Sequence, residues 1–344
     1  RRARGAVVSD LLVYPLKSGA EVRVQREEVC AGGFAGDRAF QVTDASGRFV
    51  TPRDAIGASA PQPRAAELFH VRAELVRGEA LRLSKRGGAV APLTVDLQPA
   101  SARATPAMAK VLGAPRPNDN KEELLDYGDE AARWLQEATG IQGARLHGVG
   151  PRYGRVVVAN PKQGDAPAGE RCPVSLADEA PFLLASNASL KDVRRRLFWK
   201  GRIGESFGID MRRFRPNIVV DGALPWEEDT WKRIRIGKVE FQVWQRCGRC
   251  LMTTFCRDTL RRDKALEFLR TFRERSHDGD AKHNQSNFGM HLIPVAGCAS
   301  EIAVGDSLEV LERDVAREDE WLQLFGPRQQ LGWKFSLGLP SSLA

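Results

Sequence analysis

Short β-like runs broken by turn signals fill the N-terminal third of the chain, and this spacing is the strongest constraint on the fold. "AVVSDLLVYP" is followed by "EVRVQREEV", in which Val22 and Val24 alternate with polar neighbours, and then by "AFQVTDASGRFVT" around a Ser-Gly turn. A Pro/Asn/Asp breaker, "GAPRPNDN", covers 113–120. The period then changes. In "DEAARWLQEATG", Ala131, Trp134, Leu135 and Ala138 fall at i, i+3, i+4 and i+7, with Gly140 at the stop position, which predicts an amphipathic helix. Residues 160–170, "NPKQGDAPAGE", are the clearest linker. Beyond it, "ADEAPFLLASNASLKDVRRRL" reads as strand, turn and capped helix, and "RPNIVVDG" as a buried strand. "GKVEFQVWQRC" is an alternating strand with Val239, Phe241 and Val243 on one face. "DKALEFLRTFRER" is a helix capped by Asp263, and "EIAVGDSLEVLE" is a strand, a Gly-Asp turn and another strand. No internal repeat, GxGxxG or GxxxxGK[ST] occurs, and such short strands argue against a Rossmann-type sheet. The expected fold is mainly β with peripheral helices (α+β), in two domains that are each a barrel or a partly closed sheet.

Length agrees, since 344 residues exceed the usual size of one hydrophobic core. With 42% apolar and 28% charged residues, the composition is that of an ordinary globular chain. Lys and Arg outnumber Asp and Glu by 52 to 44, a net charge of +8, which favours an anionic ligand. The clusters Arg194-Arg195-Arg196 and Arg212-Arg213 are not interleaved with aromatics and read as solvated helix face or loop, so no nucleic acid is expected. No apolar run reaches the ~18 residues of a spanning helix, and a soluble chain without its own membrane anchor is expected. The start, "RRARGAVVSDLL", lacks Met, which fits removal of an upstream targeting or anchoring segment. Six scattered Cys do not form a secreted disulfide framework; an intracellular, reducing compartment is expected, mitochondrial if such a segment has been removed.

Three of those cysteines crowd into "WQRCGRCLMTTFC". A structural zinc site wants a second ligand pair to answer Cys247 and Cys250, and the sequence offers none. A thioredoxin-like CxxC should open a helix, whereas "LMTTF" is β-branched and aromatic. A buried free thiol and a ligand for a softer metal remain open. Other stretches bear on the choice: "YPLKSG" supplies Lys17 and Ser18, "GDRAF" Arg38, and "FRPNI" Arg215 and Asn217. These are donors suited to a phosphate or a polar heterocycle.

Taken in order, "LLVYPLKS", "GDRAFQV", "YGDEAARWL", "ADEAPFLLASNASL", "FRPNIVVDG", "RCGRCLMTT", "NFG" and "IAVGD" resemble the MOSC family, the molybdenum cofactor sulfurase C-terminal domains preceded by a β-barrel partner. The resemblance runs from Val7 to Glu312 and is closest to the branch of the mitochondrial amidoxime-reducing component and its bacterial relatives. It implies an N-terminal β-barrel-like domain over 1–120, a helix and linker over 121–170, a MOSC domain over 171–312 and an extension over 313–344. It further implies a molybdenum cofactor (Mo-molybdopterin) lying between the two domains, with the Cys250 thiolate on molybdenum as metal ligand and catalytic residue. Neighbouring Arg249 would favour its ionised form, and Cys247 would be a near neighbour. Lys17, Ser18, Arg38, Arg215 and Asn217 would hold the phosphate and pterin, and Asp178 would face the pterin or the metal cavity or simply form the turn.

The activity implied is reduction of N-hydroxylated compounds such as amidoximes and hydroxylamines, a molybdenum-dependent oxidoreductase reaction. With no flavin, haem or iron–sulfur motif in the sequence, electrons would come from a separate donor, in the related reductases a b-type cytochrome fed by an NADH-dependent reductase. The alternative is a carrier or sulfur-transfer module in which Cys250 holds sulfur transiently; a pyridoxal phosphate domain has no room in this chain. Two departures from the family pattern bear on substrate range. "FCRDTLRR" replaces an acidic Pro- and Gly-containing turn after the cysteines, and "TPRDAIGAS" lacks the Gln and Pro that often follow the Arg, here Arg53.

Overall fold

The structure, a computed structural model, describes residues 5–57, 59–88, 90–97, 105–110, 121–158, 171–264, 269 and 286–325. Its largest element is an eight-stranded sheet in the order Val22–Val24, Val7–Val13, Ile218–Asp221, Phe182–Ser186, Ser286–Ala296, Val239–Arg249, Trp231–Ile236, Leu308–Arg313. The first strand of the chain thus sits beside strands from the second half. Neighbours pair antiparallel except Phe182–Ser186 with Ile218–Asp221, and that parallel pair needs a crossover. The helix Asn187–Trp199 supplies it, capped by Ser186, whose hydroxyl accepts the Ala188 N–H at 3.1 Å.

Alternation turns one face of these strands inward. Leu11, Phe182, Leu184, Ile218, Trp231 and Phe241, all essentially inaccessible, form the centre of this core, each worth about 1.5–3 kcal/mol of burial. The smaller body has its own core. A four-stranded sheet (Phe40–Thr43, Arg145–Val149, Lys121–Asp126, Thr105–Lys110) and a meander (Val71–Val76, Ala80–Lys85, Leu93–Asp96) enclose Val42, Leu68, Leu83 and Leu146. The helix Gly128–Thr139 covers them with Ala131, Trp134, Leu135 and Ala138, the residues its spacing selects, and stops at Gly140 in the left-handed region (φ 71°).

The mainly β architecture with peripheral helices is the one expected, but the barrels are corrected to open, curled sheets. Among the described residues, Val22–Val24 and Leu308–Arg313 are free edges of the large sheet. The start of Leu308–Arg313 meets the start of Val7–Val13 through an isolated antiparallel bridge, Val7 with Ser307, where Val8 N–H donates to Asp306 O at 2.9 Å, Gly305 N–H to Val8 O at 2.8 Å and Leu308 N–H to Ala6 O at 2.7 Å. The strand, turn and strand expected in "EIAVGDSLEVLE" are present, and the structure adds their partners. Glu301–Ala303 pairs with Arg26–Cys30 and Leu308–Arg313 with Trp231–Ile236, so the Gly-Asp turn joins two sheets instead of closing a hairpin.

Three further readings meet the structure here. Arg213, expected to be solvated, is 1% exposed and bound to Asp263 Oδ2 at 2.6 Å, because the turn carrying it folds under the helix Asn187–Trp199. The 113–120 breaker, the 160–170 linker and all but Lys264 and Leu269 of the helix predicted after Asp263 lie outside the described residues. Residues 315–325 of the C-terminal extension form a helix that packs back through Trp321, whose indole N–H donates to Pro225 O at 2.9 Å. No helix among the described residues is long and apolar enough to cross a membrane.

Gly289, in the "NFG" stretch, holds φ +80°, and a Cβ there would lie 2.6 Å from Leu184 O. Gly289→Ala is expected to cost roughly 2–4 kcal/mol, combining left-handed strain with overpacking. Urea unfolding of the variant measures it, and a loss under about 1 kcal/mol would mean the strand relaxes freely.

Candidate functional site

One open cleft gathers every residue singled out in the sequence. Lys17, Ser18 and Arg38 reach it from turns of the first half; Asp178, Arg215, Asn217, Arg249 and Cys250 reach it from the second. The structural reason is the first strand: Val7–Val13 is paired antiparallel beside Ile218–Asp221, so the turn that follows the former and the turn that precedes the latter open on the same space.

Three of these residues hold a conformation that side chains normally avoid. Ser18 (φ 69°), Arg38 (φ 49°) and Arg215 (φ 55°) are left-handed, although none is glycine. Each such residue costs on the order of 1–3 kcal/mol and persists only where the surroundings over-determine it, as they do at binding sites. The surroundings here are specific. Arg38 N–H donates to Tyr14 O at 2.8 Å, and Arg38 Nη1 donates to Asn217 Oδ1 at 2.9 Å. Its Nη2 reaches Arg215 O at 3.1 Å.

Asn217 is 1% exposed and is spent internally: Oδ1 also accepts Leu183 N–H, and Nδ2 donates to Leu12 O. It therefore acts by aiming Arg38. Tyr14, which the sequence reading passed over, is the platform for two cations, with Arg38 at 4.7 Å and Arg215 at 4.2 Å from its ring centroid. Burial, together with the Arg38 charge, lowers Arg215 to about 10, although its interaction with Tyr14 opposes the shift. Two crowded guanidiniums with only Asp37 beside Arg38 leave positive charge seeking an anion.

Lys17 crosses the cleft to Asp178 at 2.6 Å and lies over the Phe49 ring at 4.7 Å. Burial pulls the Lys17 ammonium down. Burial pushes Asp178 up, but Lys17 outweighs it, and the carboxyl is held below its ordinary value of 3.8. Asp178 thus does more than form a turn. Arg155 props that turn, donating to Asp178 O at 3.2 Å. Arg53, Thr51 and Met252 also line the cleft.

At the other end, Cys250 is exposed at the end of the strand Val239–Arg249 and opens one 3-10 turn, Leu251–Thr254. "LMTTF" is therefore corrected to a single tight turn, still too short for the helix a thioredoxin-like dithiol uses. Arg249 is corrected too. Its Nη1 lies 2.7 Å from Cys247 Sγ and its Nη2 donates to Phe214 O at 2.6 Å, away from Cys250. Strand alternation explains this: residues 247 and 249 share a face, whereas 250 begins the turn. Cys247 is buried, and burial pushes its thiol up, but Arg249 and His291 outweigh that and lower it.

Comparison with known proteins now decides the family. Residues 5–142 match the MOSC N-terminal beta barrel domain and residues 172–309 the MOSC domain. Mitochondrial amidoxime-reducing component 1 of Homo sapiens is 30% identical over 274 residues, covering 78% of this chain and 72% of its own. The chain belongs to the MOSC family. The Mus musculus protein of the same name is 30% identical over 77% of this chain and 71% of its own. The molybdenum cofactor sulfurase of Drosophila mojavensis is 29% identical over 70% of this MOSC chain, which spans only 27% of the sulfurase.

Proposed function

We propose that this MOSC chain binds the molybdenum cofactor and reduces the N–O bond of small N-hydroxylated compounds, amidoximes and hydroxylamines. The observation that carries the reading is what one cleft gathers: an exposed soft thiol, Cys250, together with the strained pair Arg38 and Arg215. The donor set fits the group. Among the described residues no three His, Cys, Asp or Glu side chains are grouped to hold a bare ion, so a metal at Cys250 must bring other ligands, as a dithiolene-bound molybdenum does. Arg38 and Arg215 suit its phosphate as bidentate donors, and Lys17 and Asp178 offer opposite charges to a polar heterocycle.

The cofactor, when bound, supplies the two-electron chemistry that the side chains lack. The overall balance is R–NH–OH + 2 e⁻ + 2 H⁺ → R–NH₂ + H₂O, with electrons from a separate donor, for which a b-type cytochrome with its NADH-dependent reductase is proposed. The chain's residues neutralise the phosphate, seat the pterin and hold the substrate in the mouth lined by Thr51, Arg53 and Met252. The sulfurase relatives support a second reading, in which Cys250 receives and hands on sulfur; its exposure suits that chemistry.

Expression in a host that makes the cofactor should give near-stoichiometric molybdenum by elemental analysis and turnover of benzamidoxime with an artificial reductant. Folded, cofactor-exposed protein without molybdenum would sink both readings. Molybdenum without turnover would favour the second.

A further inference from the structure

The wall of the same cleft carries a charged cluster that the reading above does not use. His291 lies on the strand Ser286–Ala296, between Gln245 and Leu183 in register, and is 7% exposed. Its Nε2 is 3.0 Å from Glu179 Oε2, and the Glu179 side chain is 38% exposed. Its Nδ1 is buried. The same ring lies against Cys247, close enough that the two stabilise each other's charged forms, with Arg249 behind the sulfur. Cys247, Glu179 and His291 all line the cleft. From solvent inward, the order is therefore carboxylate, imidazole, thiol.

We propose that Glu179 and His291 form a proton-delivery path from the cleft rim to Cys247 in its wall, supplying protons that N–O reduction consumes. This rests on the reductase reading and adds to it the source of the two protons. Each step moves one proton from solvent to Glu179, on to His291 Nε2, and from the ring's other nitrogen to the Cys247 thiolate, which gives it up to the substrate in the cleft and is a thiolate again; two such steps supply the two protons of one turnover, and the next proton recharges the ring. The electrons arrive separately from the donor, so charge balances when two protons have passed. Geometry favours this path over bulk water. The carboxylate is by far the most exposed of the three, while the imidazole can hold a proton on either nitrogen.

Charge supports the order. Burial opposes a charged ring, but the Cys247 sulfur and the Glu179 carboxylate outweigh it and raise His291 to about 10. The groups facing the ring are Cys247, with Arg249 behind it, from the strand Val239–Arg249, and Glu179 from the turn before Phe182–Ser186; the register neighbours Gln245 and Leu183 are neutral. Being raised, the ring stays protonated at neutral pH. Its proton supply is lost only as pH climbs through the raised value. In Glu179→Gln the ring loses one of the two charges that hold it there, so the alkaline limit should move to lower pH.

The test uses the molybdenum-loaded chain with benzamidoxime, comparing wild type, His291→Asn and Glu179→Gln. His291→Asn should lower kcat by roughly 10–100-fold with KM little changed, raise the solvent deuterium isotope effect, and recover part of its rate with added imidazole. A folded, molybdenum-loaded His291→Asn enzyme with the wild-type pH profile and isotope effect overturns the proposal. A second measurement needs no turnover: the ultraviolet thiolate absorbance of Cys247, followed against pH as the difference between the Cys250→Ser chain and the same chain carrying Cys247→Ala, which cancels the other four thiols. His291→Asn should shift that titration to higher pH, and an unmoved titration also overturns the proposal. A loaded wild type that reduces no N-hydroxylated compound overturns the reductase reading instead, and is recognised by the wild type's own inactivity.

Discussion

Cys250→Ala is expected to leave a folded chain that has lost more than about 100-fold of its reductase activity, beyond the 10–100-fold typical of losing a residue that only supports a metal ligand. Folding should survive because Cys250 is exposed, lies outside the apolar clusters and ends a strand whose pairing is complete before it. The molybdenum coordination signature should change with the thiolate. Cys247→Ala provides the contrast. It removes a buried sulfur held by Arg249 and His291, so it should cost stability and alter the pH profile while keeping the coordination signature. X-ray absorption at molybdenum on both variants separates them. A signature that moves with Cys247 and not with Cys250 would reverse the assignment of the ligand.

Asp37→Ala should destabilise the protein by about 3–5 kcal/mol, as removal of one member of a buried ion pair does. Asp37 is 2% exposed; Oδ1 accepts the Tyr14 N–H at 2.7 Å, and Oδ2 binds Arg38 Nη1. Without it, Arg38 would lose its carboxylate partner while still crowded with Arg215 against Tyr14, and a buried backbone N–H would lose its acceptor. Asp37→Asn, which keeps one acceptor, should lose less. Urea unfolding measures both, and added phosphate should restore part of the loss in Asp37→Ala if the two arginines form an anion site. A loss below about 1 kcal/mol would mean that water reaches Arg38 and that the cleft is wetter than its packing indicates.

Local order was legible in the chain because it follows from periodicity and caps. The helix Gly128–Thr139 buries the residues its spacing selects, Gly140 takes the left-handed stop, and Ser186 caps Asn187–Trp199. The donors Lys17, Ser18, Arg38, Arg215 and Asn217 were legible as residue types in a familiar order, and all of them line one cleft with Cys250. Other features were not. A lone His in "FGMHLIPV" and a Glu next to Asp178 carry no local signal, because only the pairing of Ser286–Ala296 with its neighbours brings His291 to Glu179 and Cys247.

By itself, then, the sequence determined the β-rich class, the elements whose patterns are short-ranged, and a set of polar residues that the fold brings to one cleft. The tertiary structure alone decided how strands pair over long sequence separations: that Val7–Val13 enters the sheet of the second half, that "EIAVGDSLEVLE" divides between two sheets, and that Arg249 serves Cys247 instead of Cys250. The reason is physical. Periodicity tells which face of a strand is buried, but not which strand it lies beside, and a site built from turns at strand ends takes its geometry from that pairing.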